Sequence, residues 1–324
     1  MKAVHIKDFG GPSSVALVDV EPPAREAGEV LIDVHAAGVA FPEVLQTRGK
    51  YQVRPELPFV PGAEVAGVVA EAPAGSAVRA GDRVAALPFL GGFAEQAVCP
   101  LDATFPIPDS VTFEQAAAIP FNYLTAHFAL CRRGRLAAGE TVLVHGAAGG
   151  VGTAVIQVAK AFGAGTVLGV VSTPAKGEIA VAAGADAYVL ADGFKESVRE
   201  ATAGRGVDLV ADVVGGDRFT DSLRSLAADG RLLVIGFTAG AIPEVKVNRL
   251  LLNNLDVIGV GWGAYANARP GYLRAQWAEL LPKLETGALR PHLGGTYTLG
   301  DVQTALAAID NRSAVGKLVL RLRD

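Results

Sequence analysis

Only two cysteines, Cys99 and Cys131, occur in 324 residues. They are too few and too isolated for a disulfide framework, and they fit a reducing compartment. No stretch reaches the roughly 18 uninterrupted apolar residues of a membrane-spanning helix. The opening MKAVHIKDFG has neither the apolar run nor the small-residue cleavage site of a secretory leader, so a cytoplasmic, non-membrane protein is expected. Charge of neither sign prevails: 29 Lys and Arg stand against 33 Asp and Glu, a formal net charge of −4. Nothing resembles the basic surface that neutralises a row of phosphates, which argues against a nucleic-acid partner. The five histidines, at 5, 35, 127, 145 and 292, show no metal-ligand spacing.

What is present is an ample apolar fraction, 50% of residues against 19% charged, which suits a packed globule rather than a disordered chain. The length exceeds what one core usually supports, so two domains are expected. Short β-rich runs fill the first 100 residues: VALVDV, EVLIDVHAAGV, EVAGVVAEAP, DRVAAL and FAEQAVC. Near residue 108 the pattern changes. Ser110 or Thr112, followed by acidic residues, can cap a helix pair running to about residue 136.

From residue 140 the rhythm is strand, glycine turn, helix. ETVLVHGA, TVLGVVS, AYVL, VDLVADVVG, RLLVIGF and LDVIGVGWG read as strands. GGVGTAVIQVAKAFGA, PAKGEIAVAAGA, FKESVREATAG and RFTDSLRSLAADG read as the helices between them, so the segment predicts a parallel sheet covered on both faces. After about residue 268 come the helix GYLRAQWAELLPKLETG and a tail ending in a β run. The fold class is α/β, a doubly wound parallel sheet joined to a β-rich domain.

Ala147, Gly149 and Gly152 stand in an A-x-G-x-x-G relation between a strand and a helix. Glycine alone can mean only a tight turn. Within a βαβ unit, the same spacing lets a pyrophosphate approach the backbone and lets the helix pack on the strand, with the free amides of Gly150 and Val151 at the helix start. An NAD site expects an acidic residue about 20 positions further on, accepting from the ribose 2′-hydroxyl. Ser172 occupies that place, and Lys176 follows it. A neutral hydroxyl and a cation favour a 2′-phosphate, hence NADP(H). The alternative for Lys176 is a solvated lysine at a helix start.

Several segments together resemble the medium-chain dehydrogenase/reductase superfamily, and within it the zinc-free quinone oxidoreductase (ζ-crystallin-like) branch. They are GVAFPEVLQTRGKYQVRPELPFVPGAEVAGVV, GDRV, GGFAEQAV, AAAIPFNYLTAHFAL, GETVLVHGAAGGVGTAVIQVAKAFGA and RSAVGKLVL. The resemblance implies a GroES-like catalytic domain from residues 1–122 and 268–324, a Rossmann domain over 123–267, NADPH as the donor, and a homodimer. It also implies a cofactor in the cleft between the two domains. Zinc-dependent relatives place Cys and His where this chain has Ala40 and Ala63, so no metal is expected.

The resemblance further implies that Val214, Gly236, Phe237, Thr238, Gly261 and Trp262 line the cofactor, and that Arg312 reaches the 2′-phosphate alongside Ser172 and Lys176. Asn122 and Thr125 fall where the family approaches the nicotinamide. The alternative for Thr125 is an ordinary helix-start threonine. Tyr51 is read either as a phenol donating to the acceptor oxygen or as a surface tyrosine. Glu64 reads either as an acid on the cleft floor or, preferably, as one bonded to local backbone. Ala40 and Leu45 replace the Asn and Tyr that many members carry, which leaves a more apolar cleft.

Without zinc to polarise a carbonyl, hydride transfer to an electron-poor acceptor is favoured, namely a quinone or an α,β-unsaturated carbonyl. One rival is an enoyl-thioester reductase of the acyl-CoA type, which would call for a basic rim. Another is an NADPH-binding structural or regulatory protein of the crystallin type.

Overall fold

The computed structural model describes residues 1–323. In chain order the elements begin with β1 (Lys2–Ile6), β2 (Val15–Asp19), β3 (Glu29–Val39), α1 (Phe41–Thr47) and β4 (Glu64–Glu71). Then come β5 (Arg83–Ala86), β6 (Gln96–Pro100), β7 (Thr104–Pro106), α2 (Phe113–Ala116) and α3 (Pro120–His127). The middle of the chain holds β8 (Thr141–His145), α4 (Gly150–Ala161), β9 (Thr166–Val171), α5 (Pro174–Ala182), β10 (Ala187–Leu190), α6 (Phe194–Ala201) and β11 (Val207–Asp212). It continues through α7 (Phe219–Arg224), β12 (Leu226–Val234), α8 (Asn248–Asn253), β13 (Asp256–Gly259) and α9 (Trp262–Asn267). Last are α10 (Tyr272–Glu285), β14 (Leu293–Thr298), α11 (Val302–Asp310) and β15 (Lys317–Arg321). Two units result among the described residues, Met1–Asn122 with residues 270–323, and Tyr123–Arg269.

In the first unit a seven-stranded mixed sheet has the order β14-β15-β3-β4-β5-β7, with β6 also on β3. β3 shows why: Val30, Ile32 and Val34 alternate inward with period two and are fully buried, the mark of a strand with one face on a core. The C-terminal β15 joins β3 antiparallel, placing Leu318 opposite Val39 and Leu320 opposite Ala37. Trp277 of α10 stacks on Phe105 with ring centroids 4.7 Å apart, and its indole N–H donates to the Pro106 carbonyl. Such a stacked pair adds about 1 kcal/mol beyond its burial.

The second unit carries a six-stranded sheet ordered β10-β9-β8-β11-β12-β13, parallel throughout. β8 is buried at all five positions, as a strand with helices on both faces must be. The order reverses beside β8, from which the chain moves outward first to β9 and β10 and later to β11, β12 and β13. A doubly wound sheet binds its ligand outside the carboxyl ends of the strands at that switch point.

Four local expectations are corrected. β1 and α1 were not foreseen. α1 lacks a capping side chain at Ala40, so the usual polar signal is absent; the Ala40 N–H donates instead to Glu43 Oε2 at 2.9 Å. The helix expected over 218–230 stops at Arg224, because Leu226 already pairs with Val207 and the register shifts before Leu209. Asp229, at φ 62°, sits in that irregular stretch. The first helix of the expected pair is a single turn. Thr112 caps it, its Oγ1 accepting from the Gln115 N–H at 3.2 Å while Gln115 Oε1 accepts from the Thr112 N–H at 3.1 Å. Finally, β13 ends at Gly259, and Trp262 opens a helix instead of continuing the strand.

Candidate active site

The glycine turn lies at the switch point. Ala147 is fully buried, and its methyl group occupies the space that a side chain at Gly169 of β9 would need. A Cβ at residue 152 would collide with the Gly146 carbonyl, so glycine there is what lets α4 start so close to β8. At Gly149, the N-cap, an added Cβ would meet only the Gly146 oxygen at 3.4 Å, and no side chain caps the helix. The amides of Gly150, Val151 and Gly152 are the first-turn donors that an α-helix leaves without an intrahelical acceptor. A cradle of uncapped amides at the positive end of a 12-residue helix fits a pyrophosphate.

The neighbouring strand ends bring most of the other sequence-predicted residues to the same edge. Asp212 at the end of β11 accepts from the Val214 and Gly215 amides at 2.8 and 2.9 Å, which folds that loop tightly. The Thr238 N–H donates to the Val213 carbonyl and the Ala239 N–H to the Val214 carbonyl, so Val214 lies beside Gly236, Phe237 and Thr238. A side chain at Gly215 would strike the Phe237 ring at 2.9 Å. Gly261 follows β13, whose next residue, Val260, donates to the Val234 carbonyl at the end of β12. Gly261 is exposed, whereas the Trp262 side chain is buried.

On the other side of the switch point the Ala147 N–H donates to the Val170 carbonyl, tying the glycine turn to the end of β9. Ser172 follows β9 and is exposed. Thr173 caps α5, its Oγ1 accepting from the Lys176 N–H at 3.3 Å. Lys176 is half-buried in the first turn of that helix. A hydroxyl, a helix N-terminus and a lysine therefore follow one strand, with no carboxylate at the position where an NAD site carries one. Arg312 belongs to the first unit, just after α11, in a left-handed conformation at φ 63°.

In the first unit Tyr51 is half-buried, and burial together with the Glu43 charge raises its phenol above the ordinary value. Asn122 is 3% exposed in the first turn of α3. Thr125 is buried inside the same helix, in the second unit, rather than at its start. Glu64 is bonded to backbone, but not to local backbone. Its Oε2 accepts from the Phe121 N–H at 2.8 Å, 57 residues away, and its other oxygen pairs with the buried ammonium of Lys317.

Glu43 is the carboxylate that sequence reasoning missed. Its Oε1 accepts from the Ala63 N–H at 3.0 Å, and its Oε2 accepts from Ala40 as above. Burial pushes this carboxyl up to about 7, against the opposing pull of Lys317. The signal available was a glutamate three residues after a small N-cap residue, one half of a capping box. Zinc does not fit here. Residues 40 and 63 offer methyl groups, the two nearby carboxylates are held by amides and an ammonium, and no three His, Cys, Asp or Glu side chains group together among the described residues.

A second missed residue is His145, which ends β8 directly before the glycine turn. It is 1% exposed, and its Nε2 lies 2.9 Å from Ser222 Oγ. That hydroxyl also lies 3.0 Å from the Arg218 carbonyl, and Nδ1 of the ring has no hydrogen-bond partner among the described residues. Burial holds this imidazole down at about 4, hence neutral.

The chain is similar to known proteins along nearly its whole length. Residues 26–109 match the alcohol dehydrogenase GroES-like domain, and residues 150–286 match the family described as zinc-binding dehydrogenase. Quinone oxidoreductase-like protein 2 of Bos taurus is 37% identical over 312 residues, 95% of this chain and 89% of its own. A probable oxidoreductase from Mycobacterium abscessus superposes with a TM-score of 0.91 at 43% identity, covering 99% of this chain and 98% of that one. The quinone oxidoreductase of Thermus thermophilus, solved alone and as its complex with NADPH, gives 0.85 at 37% identity, over 99% of this chain and 100% of that one. The chain belongs to the quinone oxidoreductase branch of the medium-chain dehydrogenase/reductase superfamily.

Proposed function

We propose that this member of the branch is an NADPH-dependent reductase of quinones or α,β-unsaturated carbonyls that works without a metal. The observation that carries the reading is the uncapped first turn of α4 at the switch point, with Ser172 and Lys176, and no acid, after the next strand. The NADPH complex of the Thermus thermophilus relative supports it. The amides of Gly150, Val151 and Gly152 would hold the pyrophosphate, while Ser172, Lys176 and the N-terminus of α5 would hold the 2′-phosphate. Val214, Gly236, Phe237, Thr238 and Gly261 would line the rest of the dinucleotide.

NADPH, when bound, supplies the hydride. The protein's own work is to orient the acceptor and to hold a proton for it. Tyr51 is the proposed donor, because a phenol raised by burial stays protonated at neutral pH and can hydrogen-bond to the acceptor oxygen through Oη. Asn122 and Thr125 are the proposed polar contacts of the nicotinamide and acceptor. A quinone or enone needs no Lewis acid, which suits alanines at positions 40 and 63.

We also propose a homodimer formed through the β13 edge of the parallel sheet. In the segment between β12 and β13, Ile242, Val247, Leu251 and Leu252 are each at least 70% exposed, large apolar side chains that a partner subunit would cover. Among the described residues no helix is long and apolar enough to cross a membrane. Cys99 and Cys131 form no disulfide, and a reducing, cytoplasmic setting is part of the proposed reading. The direct test is a steady-state screen with NADPH against quinones, enones and enoyl-CoA thioesters. Turnover of the first two classes is expected, turnover confined to thioesters would move the assignment to enoyl reduction, and none at all would leave a binding role.

A further inference from the structure

Three side chains of the charged types in the first unit are almost wholly shut off from water: Glu43 and Glu64, each 1% exposed, and Lys317, 4% exposed. They come from α1, β4 and β15, elements far apart in sequence. Lys317 pairs with Glu64 Oε1, and Glu64 Oε2 accepts from the Phe121 N–H. Glu43 accepts from the amides of Ala40 and Ala63. The cluster is packed without slack: a side chain at Gly38 of β3 would come within 2.6 Å of Glu64 Oε1.

The charges do not balance. Two carboxylates share one ammonium in surroundings that penalise any uncompensated charge. Glu64 lies against the cation, so the surplus falls on Glu43, which is supported by backbone amides, those of Ala40 and Ala63 among them, and by the charge of Lys317. Around Glu43 the ionisable groups are Lys317 of β15, Glu64 of β4, and Tyr51 beyond the end of α1. When ionised, Glu43 makes two charge-assisted hydrogen bonds that pin the chain at residues 40 and 63. When protonated, it must surrender much of that grip.

We propose that Glu43 is a positioning residue of the reductase: as a carboxylate it pins the turns at Ala40 and Ala63 and, with Lys317 and Glu64, holds the first turn of α3 that carries Asn122. This rests on the reductase reading above. Protonation of Glu43, whose carboxyl burial raises towards neutrality, then becomes a switch on turnover, since loosening those turns disturbs Tyr51 and Asn122 without touching the glycine cradle. The device takes up one proton and needs no other reactant.

The test is the pH profile of kcat with NADPH and a quinone, measured on the full-length protein, together with the infrared carboxyl band followed over the same range. In the wild type kcat is expected to rise through one ionisation close to neutral pH, and a buried protonated-carboxyl band is expected to fade in step. Glu43→Gln should lower kcat about tenfold, a size ordinary for lost positioning, abolish the inflection and the band, and leave the KM for NADPH unchanged. Glu64→Gln, which keeps an oxygen for Phe121 but removes a charge, should move the inflection down by about one pH unit. A Glu43→Gln profile like that of the wild type, or an inflection unmoved by Glu64→Gln, overturns the inference while the reductase reading stands. A wild type with no NADPH turnover overturns both.

Discussion

The carboxyl edge of the parallel sheet and the buried acid cluster of the mixed sheet are opposite solutions to placing polar groups. At the edge, backbone amides are left without acceptors and glycines keep side chains out of the way, so the site is built to receive a charge from outside. In the cluster every carboxylate is already engaged by an amide or an ammonium of the same chain. The first arrangement suits binding; the second suits holding its surroundings in place.

The sharpest way to break this contrast is to remove the cation. Lys317→Met leaves two buried carboxylates uncompensated and is expected to cost about 4 kcal/mol of stability in urea unfolding. A much smaller loss would mean that the cluster is hydrated. At the edge, Gly152→Ala forces a methyl group onto the Gly146 carbonyl; about 2–3 kcal/mol of destabilisation is expected, with weakened NADPH binding in a fluorescence titration.

The two regions should also answer pH with opposite signs. His145 lies at about 4 in the fold against 6.5 when free, so its contribution to stability is lost as pH falls through that interval. Glu43 lies at about 7 against 4.5, so its contribution is present below 4.5 and lost as pH rises towards 7. Each amounts to roughly 3 kcal/mol. Unfolding followed from pH 4 to pH 8 should show the Glu43 slope vanish in Glu43→Gln and the His145 slope remain.

The same contrast explains what could be read before the fold was known. The edge proposed for the cofactor depends on backbone geometry, and glycine, alanine and the strand–helix rhythm record that geometry locally; hence the turn at Ala147, Gly149 and Gly152, and the place of Ser172 after the next strand, are legible from spacing. The cluster depends on residues 43, 64 and 317 meeting in space, which no local pattern encodes. Glu64 is legible as an acid but its partner is not, and Glu43 carries only half of a local signal, because α1 has an alanine where a capping side chain normally announces a helix. The early end of α7 was hidden in the same way. Leu226 is apolar enough for either a helix or a strand, and only its pairing with Val207 decides between them.

Smaller effects sharpen the binding half of the contrast. Replacing Leu251 and Leu252 together by glutamate should convert the proposed dimer to a monomer in light scattering, with little change in turnover per chain. Lys176→Ala should weaken NADPH binding about tenfold, the worth of one charge-assisted contact, and leave NADH binding unchanged.

The most direct measurement is the ratio of NADPH to NADH dissociation constants for the wild-type protein, from fluorescence titration at one ionic strength. A preference for NADPH of at least about tenfold is expected from a hydroxyl, a lysine and a helix N-terminus standing where an NAD site keeps its acid. Equal affinity for the two cofactors would contradict that account of the edge.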